Sequence, residues 1–215
     1  GSAIGMKVVA DVPYVMGLDK FIGTELNQDV KDYLKDFGAA TASNGAVGLY
    51  HIDQITPEAK ELGKSLIRDD AKEYVIDDAE LQRVYDSYPV MWKKPEKEAD
   101  RVFVGCPHLS YKQLMKWSQN IIDGLKETGQ KKVTTRVVLT TAPDVREKFE
   151  KEPIAQELMA TGTRVSSICP LMYTNNPLTH KHRILTDSNK LRTYSSARYK
   201  TDQEVLDFIV GREAK

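Results

Sequence analysis

The chain has 215 residues, enough for one or two domains with a sizeable core, and its 31 Lys and Arg are balanced by 31 Asp and Glu that are mixed along the sequence. That pattern excludes a basic nucleic-acid-binding stripe and a solvating acidic tail, while apolar runs such as Arg136-Val137-Val138-Leu139 are too short to span a membrane. No basic-then-apolar leader is seen, and Cys106 and Cys169 make no disulfide framework, so a soluble protein of a reducing compartment, the cytoplasm, is expected.

Strand-like and helix-like segments alternate from end to end, which predicts a single domain over residues 1–215. Its expected fold class is α/β, a three-layer α/β/α sandwich with a mainly parallel sheet. Residues 12–16 form the first expected strand, closed by Gly17, with Pro13 at an edge or at the strand start. Val30, Tyr33, Leu34 and Phe37 fall at i, i+3, i+4 and i+7, the apolar face of a helix. The following run 38–45 has almost no side-chain bulk, which suits close approach of a ligand or tight packing of another backbone. Residues 46–52 read as a buried strand. Thr56-Pro57-Glu58 starts a helix: Thr56 is suited to accept from an orphan N–H, Pro57 has no N–H to waste, and Glu58 complements the dipole. Asp77 and Glu80 have capping-box spacing ahead of Leu81, Val84, Tyr85 and Tyr88. The Pro- and Lys-rich stretch 89–98 is expected as an exposed connection.

Val102-Phe103-Val104 reads as a strand leading into Gly105-Cys106-Pro107-His108-Leu109-Ser110, a strand-to-helix turn. Ser110 and Gln113 form a capping box for a helix carrying Leu114, Trp117, Ser118, Ile121, Ile122 and Leu125 and running to about Thr128. A strand over 135–141, a helical region from Ala142-Pro143-Asp144, and a helix from Pro153 stopped by Gly162 follow. Residues 163–168 are the next strand, ending at Cys169-Pro170, and 183–187 the last. Thr201 and Glu204 cap a final helix with Val205, Phe208 and Ile209.

Polar residues collect just past these strands: His51, Cys106 with His108, Thr140 with Thr141, Cys169, and Asp187 with Ser188. In a parallel sheet those positions share the carboxyl-end rim, where α/β proteins bind ligands. Each residue also has an ordinary use. Cys106 suits a core, Ser110 a helix cap, and His51 a hydrogen-bonded core position, while His180 and His182 flank Lys181 in a basic loop and read as solvated. Cys106, Cys169 and His108 lack the CxxC or HxxxH spacing of zinc sites. No GxGxxG, Walker A or GxSxG sequence occurs, which counts against nucleotide binding and α/β-hydrolase chemistry. A Cys106 nucleophile activated by His51 or His108 is an arrangement the sequence permits.

Three segments in order resemble the aconitase X family, iron-dependent dehydratases distantly related to aconitase. They are Phe37-Gly38-Ala39-Ala40-Thr41-Ala42-Ser43-Asn44-Gly45 with the strand, His51 and Thr56-Pro57-Glu58-Ala59 that follow; Gly105-Cys106-Pro107-His108-Leu109-Ser110; and Cys169-Pro170 with Thr186-Asp187-Ser188-Asn189-Lys190 and Tyr194. The resemblance implies an aconitase-like fold and a lyase that removes water from a small hydroxy acid, such as 3-hydroxyproline or a phosphorylated mevalonate. A base takes the proton beside a carboxylate while iron or an iron–sulfur cluster draws off the hydroxyl. By match, Cys169 is a metal ligand, Cys106, His108 and His51 are catalytic, and Ser43, Asn44, Ser188 and Lys190 bind substrate.

The chain resembles only the C-terminal half of the family's large subunit. The implied partners are the N-terminal half, which should hold another cysteine ligand, and a small swivelling subunit or domain that is a source of the base. Residues 201–211 lack the cysteine expected near the end, and Ser166-Ser167-Ile168 stands where the family has an acidic or threonine-rich run. The expectation is therefore a domain of a dehydratase, inactive and without a cofactor when alone. The competing expectation is a non-catalytic ligand-binding or interaction domain that has lost its metal site.

Overall fold

In the computed structural model, which describes residues 1–212, the small residues 38–44 fall inside a helix that another helix packs against. The elements up to that point are α1 (Ser2–Val8), β1 (Tyr14–Val15), α2 (Asp19–Ile22) and α3 (Gln28–Asn44). A Cβ on Gly5 would lie 2.7 Å from the Thr41 carbonyl oxygen, and one on Gly45 would lie 2.3 Å from that of Gly5. Glycine at both positions lets the backbones of α1 and α3 touch, so the small-residue run is a packing surface between chain segments. Neither α1 nor α2 is foreseen from the sequence, since they are only seven and four residues long.

The remaining elements of this part are β2 (His51–Ile52), α4 (Pro57–Leu62) and α5 (Asp78–Asp86). Ile4, Val30, Phe37, Ile52 and Ile55 form its core. β1 and β2 pair in parallel, with Tyr14 opposite His51. The strand expected over 46–52 is thus confined to its last two residues, and Leu49 is exposed. Thr56 occupies the N-cap position of α4, yet its hydroxyl bonds to the backbone N–H of Ile52 (2.9 Å) in place of the helix. Asp77 accepts from the Glu80 N–H at 2.8 Å, as its spacing implies.

Expected as one domain, the chain divides into two compact units, Gly1–Tyr88 and Pro89–Lys215. The second opens with the stretch 89–98, where Val90 and Met91 are exposed and Trp92 packs on the core. Its elements are β3 (Arg101–Leu109), α6 (Tyr111–Glu127), β4 (Arg136–Thr141), α7 (Pro143–Phe149), α8 (Pro153–Ala160), β5 (Arg164–Ser166), α9 (Pro170–Thr174), β6 (Ile184–Thr186), α10 (Asn189–Thr193), β7 (Arg198–Tyr199) and α11 (Asp202–Val210). The sheet has the order β5-β4-β3-β6-β7, and every adjacent pair is parallel. β7 is absent from the expected elements because two half-buried residues carry no alternation.

Side chains of a strand alternate between faces, and β3 shows how this builds three layers. Val102 and Val104 join a core with Leu114 and Ile121 of α6, Leu158 of α8 and Val205 and Ile209 of α11. Phe103 faces the other way, onto Ile184, Leu191 of α10 and Leu171 of α9. The result is the expected α/β/α sandwich around a parallel sheet. α6 is held at its start by the complete capping box: Ser110 accepts from the Gln113 N–H at 3.1 Å and Gln113 accepts from the Ser110 N–H at 3.0 Å. Among the described residues no helix is long and apolar enough to cross a membrane.

Candidate functional site at the carboxyl edge of the parallel sheet

From β3 the chain builds outward through β4 to β5, then returns to place β6 and β7 on the opposite side of β3. That reversal puts a topological switch point, where open α/β sheets form a ligand-binding crevice, between the carboxyl ends of β3 and β6. Two of the three resembling segments meet there: 105–110 is the end of β3 and 186–190 runs from the end of β6 into α10.

The end of β3 is an irregular strand continuing to Leu109, where a turn is expected from the sequence; its register with β4 shifts between Val104 and Leu109. Gly105 makes this possible. Its φ is +103°, and a Cβ there would sit 2.3 Å from the Thr140 carbonyl oxygen. The Thr140 hydroxyl donates to the carbonyls of Val104 (3.3 Å) and Gly105 (2.5 Å), and that of Thr141 to Leu109 (2.7 Å). Both threonines are fully buried. Their hydroxyls serve the backbone of β3, which removes them from the polar rim expected to face a ligand.

Cys106 is 7% exposed. The Ser188 hydroxyl donates to the Cys106 carbonyl and accepts from the Leu191 N–H at 3.0 Å, so it caps α10 and ties it to β3 in one step. Burial pushes the Cys106 thiol pKa up; a hydrogen bond from Ser188 and the charge of Lys190 work against this, while Cys169 and Asp187 add to it. Cys169, Asp187, Ser188 and Lys190 therefore all lie within electrostatic reach of one thiol. A thiol raised in this way is neutral near pH 7 and a poor nucleophile, which weighs against Cys106 as the attacking group of a hydrolase.

Of the expected site residues, Cys106, Cys169, Ser188 and Lys190 gather at this crevice, and His108 stands half-buried two residues beyond Cys106 on the same strand end. His51 is not on this rim: it belongs to β2, in the separate two-stranded sheet of the first unit. Its Nδ1 is buried with no hydrogen-bond partner among the described residues. Ser43 and Asn44 also belong to the first unit, at the end of α3, where both donate to the Ala40 carbonyl (3.3 and 2.9 Å). His182, expected to be solvated, stacks on Tyr173 with ring centroids 5.7 Å apart. Arg192 is a further candidate that no sequence motif marks. It lies on α10 and is 6% exposed, and its N–H continues the helix from the Ser188 carbonyl. Arginine is seldom so buried without a role, but nothing in its local sequence signals burial.

Among the described residues no three His, Cys, Asp or Glu side chains are arranged to hold a metal ion. Iron–sulfur clusters take about four ligands, mainly cysteine thiolates, and two free thiols do not fit that need by themselves.

Comparison with known proteins adds the family. The model of the aconitase X second domain matches residues 1–86, and that of the aconitase X third domain matches residues 99–207. The chain is 27% identical over 188 residues to the phosphomevalonate dehydratase large subunit of Methanosarcina mazei, covering 84% of this chain and 42% of that protein. It is 25% identical over 197 residues to the cis-3-hydroxy-L-proline dehydratase of Hypocrea jecorina, covering 90% of this chain and 31% of that one. It thus spans less than half the length of these relatives. In fold it is similar to the crystal structure of Thermococcus kodakaraensis aconitase X in its holo form, with a TM-score of 0.74, 22% identity, and coverage of 97% of this chain and 50% of the other. Matched by adjoining domain models across both of its units, the chain belongs to the aconitase X family, of which it carries the second and third domains.

Proposed function

We propose that the chain is the substrate-gripping part of a dehydratase that eliminates water from a small hydroxy acid, of the 3-hydroxyproline or phosphorylated mevalonate class. One observation carries this reading: Cys106, Asp187, Ser188, Lys190 and Cys169 converge at the switch-point crevice of the second unit. The names of the two relatives, both dehydratases, support the reaction class.

In such an elimination a proton leaves the carbon beside a carboxylate, and negative charge builds on the carboxylate oxygens. A lysine ammonium placed at those oxygens stabilises the charge as it grows, and Lys190 is the cation of the crevice suited to this. Ser188 has its hydroxyl committed to Cys106 and Leu191, so its part is to hold the crevice in shape and not to touch substrate. The neutral Cys106 thiol is suited to donate to a substrate oxygen. Cys169 is proposed as one ligand of the iron centre of the complete enzyme, whose other ligands come with the N-terminal half. A small swivelling partner is proposed to bring the base. The free thiols support a reducing, cytoplasmic location.

The test is a titration of cis-3-hydroxyproline and phosphomevalonate against the chain, followed by backbone NMR. Shifts should centre on Cys106, Ser188 and Lys190, and Lys190→Gln should weaken binding at least about tenfold, or about 1.4 kcal/mol. Binding that ignores Lys190→Gln would sink the proposal. Purified anaerobically and alone, the chain should hold far less than one cluster per molecule and show no turnover. The competing reading, a ligand-binding module without catalysis, is favoured by the insufficient donor set. Adding the N-terminal half and a small subunit separates the two: turnover supports the dehydratase, and binding without turnover supports the module.

A further inference from the structure

The opposite edge of the five-stranded sheet, at the amino ends of β3, β4 and β6, holds a cleft of about 650 Å³. That volume lies within the range of about 300–1,000 Å³ typical of small-molecule sites. Its lining includes Glu98, Asp100, Arg101, Lys132, Arg136 and Arg183. Both carboxylates are engaged by one guanidinium: Arg183 bonds to Glu98 at 2.8 Å and to Asp100 at 3.0 and 3.1 Å.

The other three cations have no carboxylate partner among the described residues. Arg101 lies with its guanidinium carbon 4.3 Å from the centre of the Tyr173 ring, and its Nε is buried with no hydrogen-bond partner. An aromatic ring satisfies the face of a guanidinium but none of its in-plane N–H donors. Lys132 donates to the Ala160 carbonyl, which leaves its charge uncompensated. Arg136, the first residue of β4, is exposed and lines the cleft. The cleft is lined by four cations and two carboxylates, a net charge of +2, and two of the three cations without a carboxylate partner are guanidiniums, whose planar forks match phosphate oxygens in pairs.

We propose that this cleft is a second binding site, for a small phosphate monoester, separate from the carboxyl-edge crevice. The nine residues of β3 run from one site to the other, so a ligand here lies away from Cys106. A cleft of about 650 Å³ has room for an organic group attached to the phosphate.

The experiment is calorimetric titration of the chain with glycerol 3-phosphate, with far-ultraviolet circular dichroism to confirm that each variant is folded. Wild type should bind saturably, and more weakly at higher salt. The double variant Arg101→Gln/Arg136→Gln should lose at least about tenfold in affinity, whereas Lys190→Gln at the carboxyl edge should bind as wild type does. Arg136→Gln alone, at an exposed position, covers the case in which the double variant does not fold, and should itself weaken binding several-fold. Absence of saturable binding to wild type would overturn the proposal. So would binding that Lys190→Gln abolishes and the arginine substitutions leave intact, since the phosphate would then sit in the crevice at the other edge.

Discussion

Gly105→Ala is the sharpest test of the carboxyl edge. The new methyl group would stand 2.3 Å from the Thr140 carbonyl oxygen, on a backbone whose φ is +103°. Holding a residue with a side chain in such a backbone region costs about 1–3 kcal/mol. The clash cannot be relieved by a rotamer, because the opposing atom is backbone of the neighbouring central strand, so β3 must move away from β4. Separation breaks the bond from the Thr140 hydroxyl to Gly105, and a buried group left unsatisfied costs about 1–3 kcal/mol. The sum, about 2–6 kcal/mol, is a large share of the roughly 5–15 kcal/mol that stabilises a domain. Urea unfolding followed by tryptophan fluorescence reads the right unit, since Trp92 and Trp117 both lie in the second. Gly129→Ala is the control: its φ is +68° and a Cβ there meets nothing within 4 Å, so it carries only the conformational cost of about 1 kcal/mol. If the two substitutions destabilise equally, to within about 0.5 kcal/mol, the close approach of β3 to Thr140 is refuted.

Ser188→Ala should destabilise the second unit by about 2–4 kcal/mol, adding a lost helix cap to an unsatisfied Cys106 carbonyl; a loss near zero in the same urea assay would deny the tie between α10 and β3. Cys106, buried and with its thiol pKa raised, should react with a thiol reagent at pH 8 far more slowly than half-buried Cys169. Equal rates would reopen the nucleophile reading. In the first unit, Arg83 and Tyr74 bond to Glu80 and lower its pKa from 4.5 to about 2. A depressed folded pKa means that the stabilisation is present above 4.5 and is lost as pH falls through about 2. Carboxyl NMR should therefore find the Glu80 midpoint near 2, and an ordinary midpoint would show that the Arg83 contact is not made in solution.

What the sequence determined alone is what short-range physics decides. The capping boxes at Ser110 and Thr201, the proline helix starts at Pro57, Pro143 and Pro153, and the α6 stripe all involve residues within a few positions of one another, and all appear in the structure. Alternation of strands and helices was enough for the parallel sandwich. The resembling segments also single out Cys106, Ser188 and Lys190, which lie near one another in the structure. Tertiary structure decided everything that depends on which distant atoms meet. The small run 38–45 is equally suited to a ligand or a helix until α1 is seen against α3. Thr140 and Thr141 are polar strand-end residues in sequence, and buried clasps on β3 in space. His51 matches the rim pattern but lies in another sheet, because strand order is not encoded in the pattern of any one strand. The order β5-β4-β3-β6-β7 is itself the decisive fact, since it puts the topological switch point beside Cys106. Local pattern sets how each segment folds, but only the long-range packing of apolar faces sets which segments become neighbours.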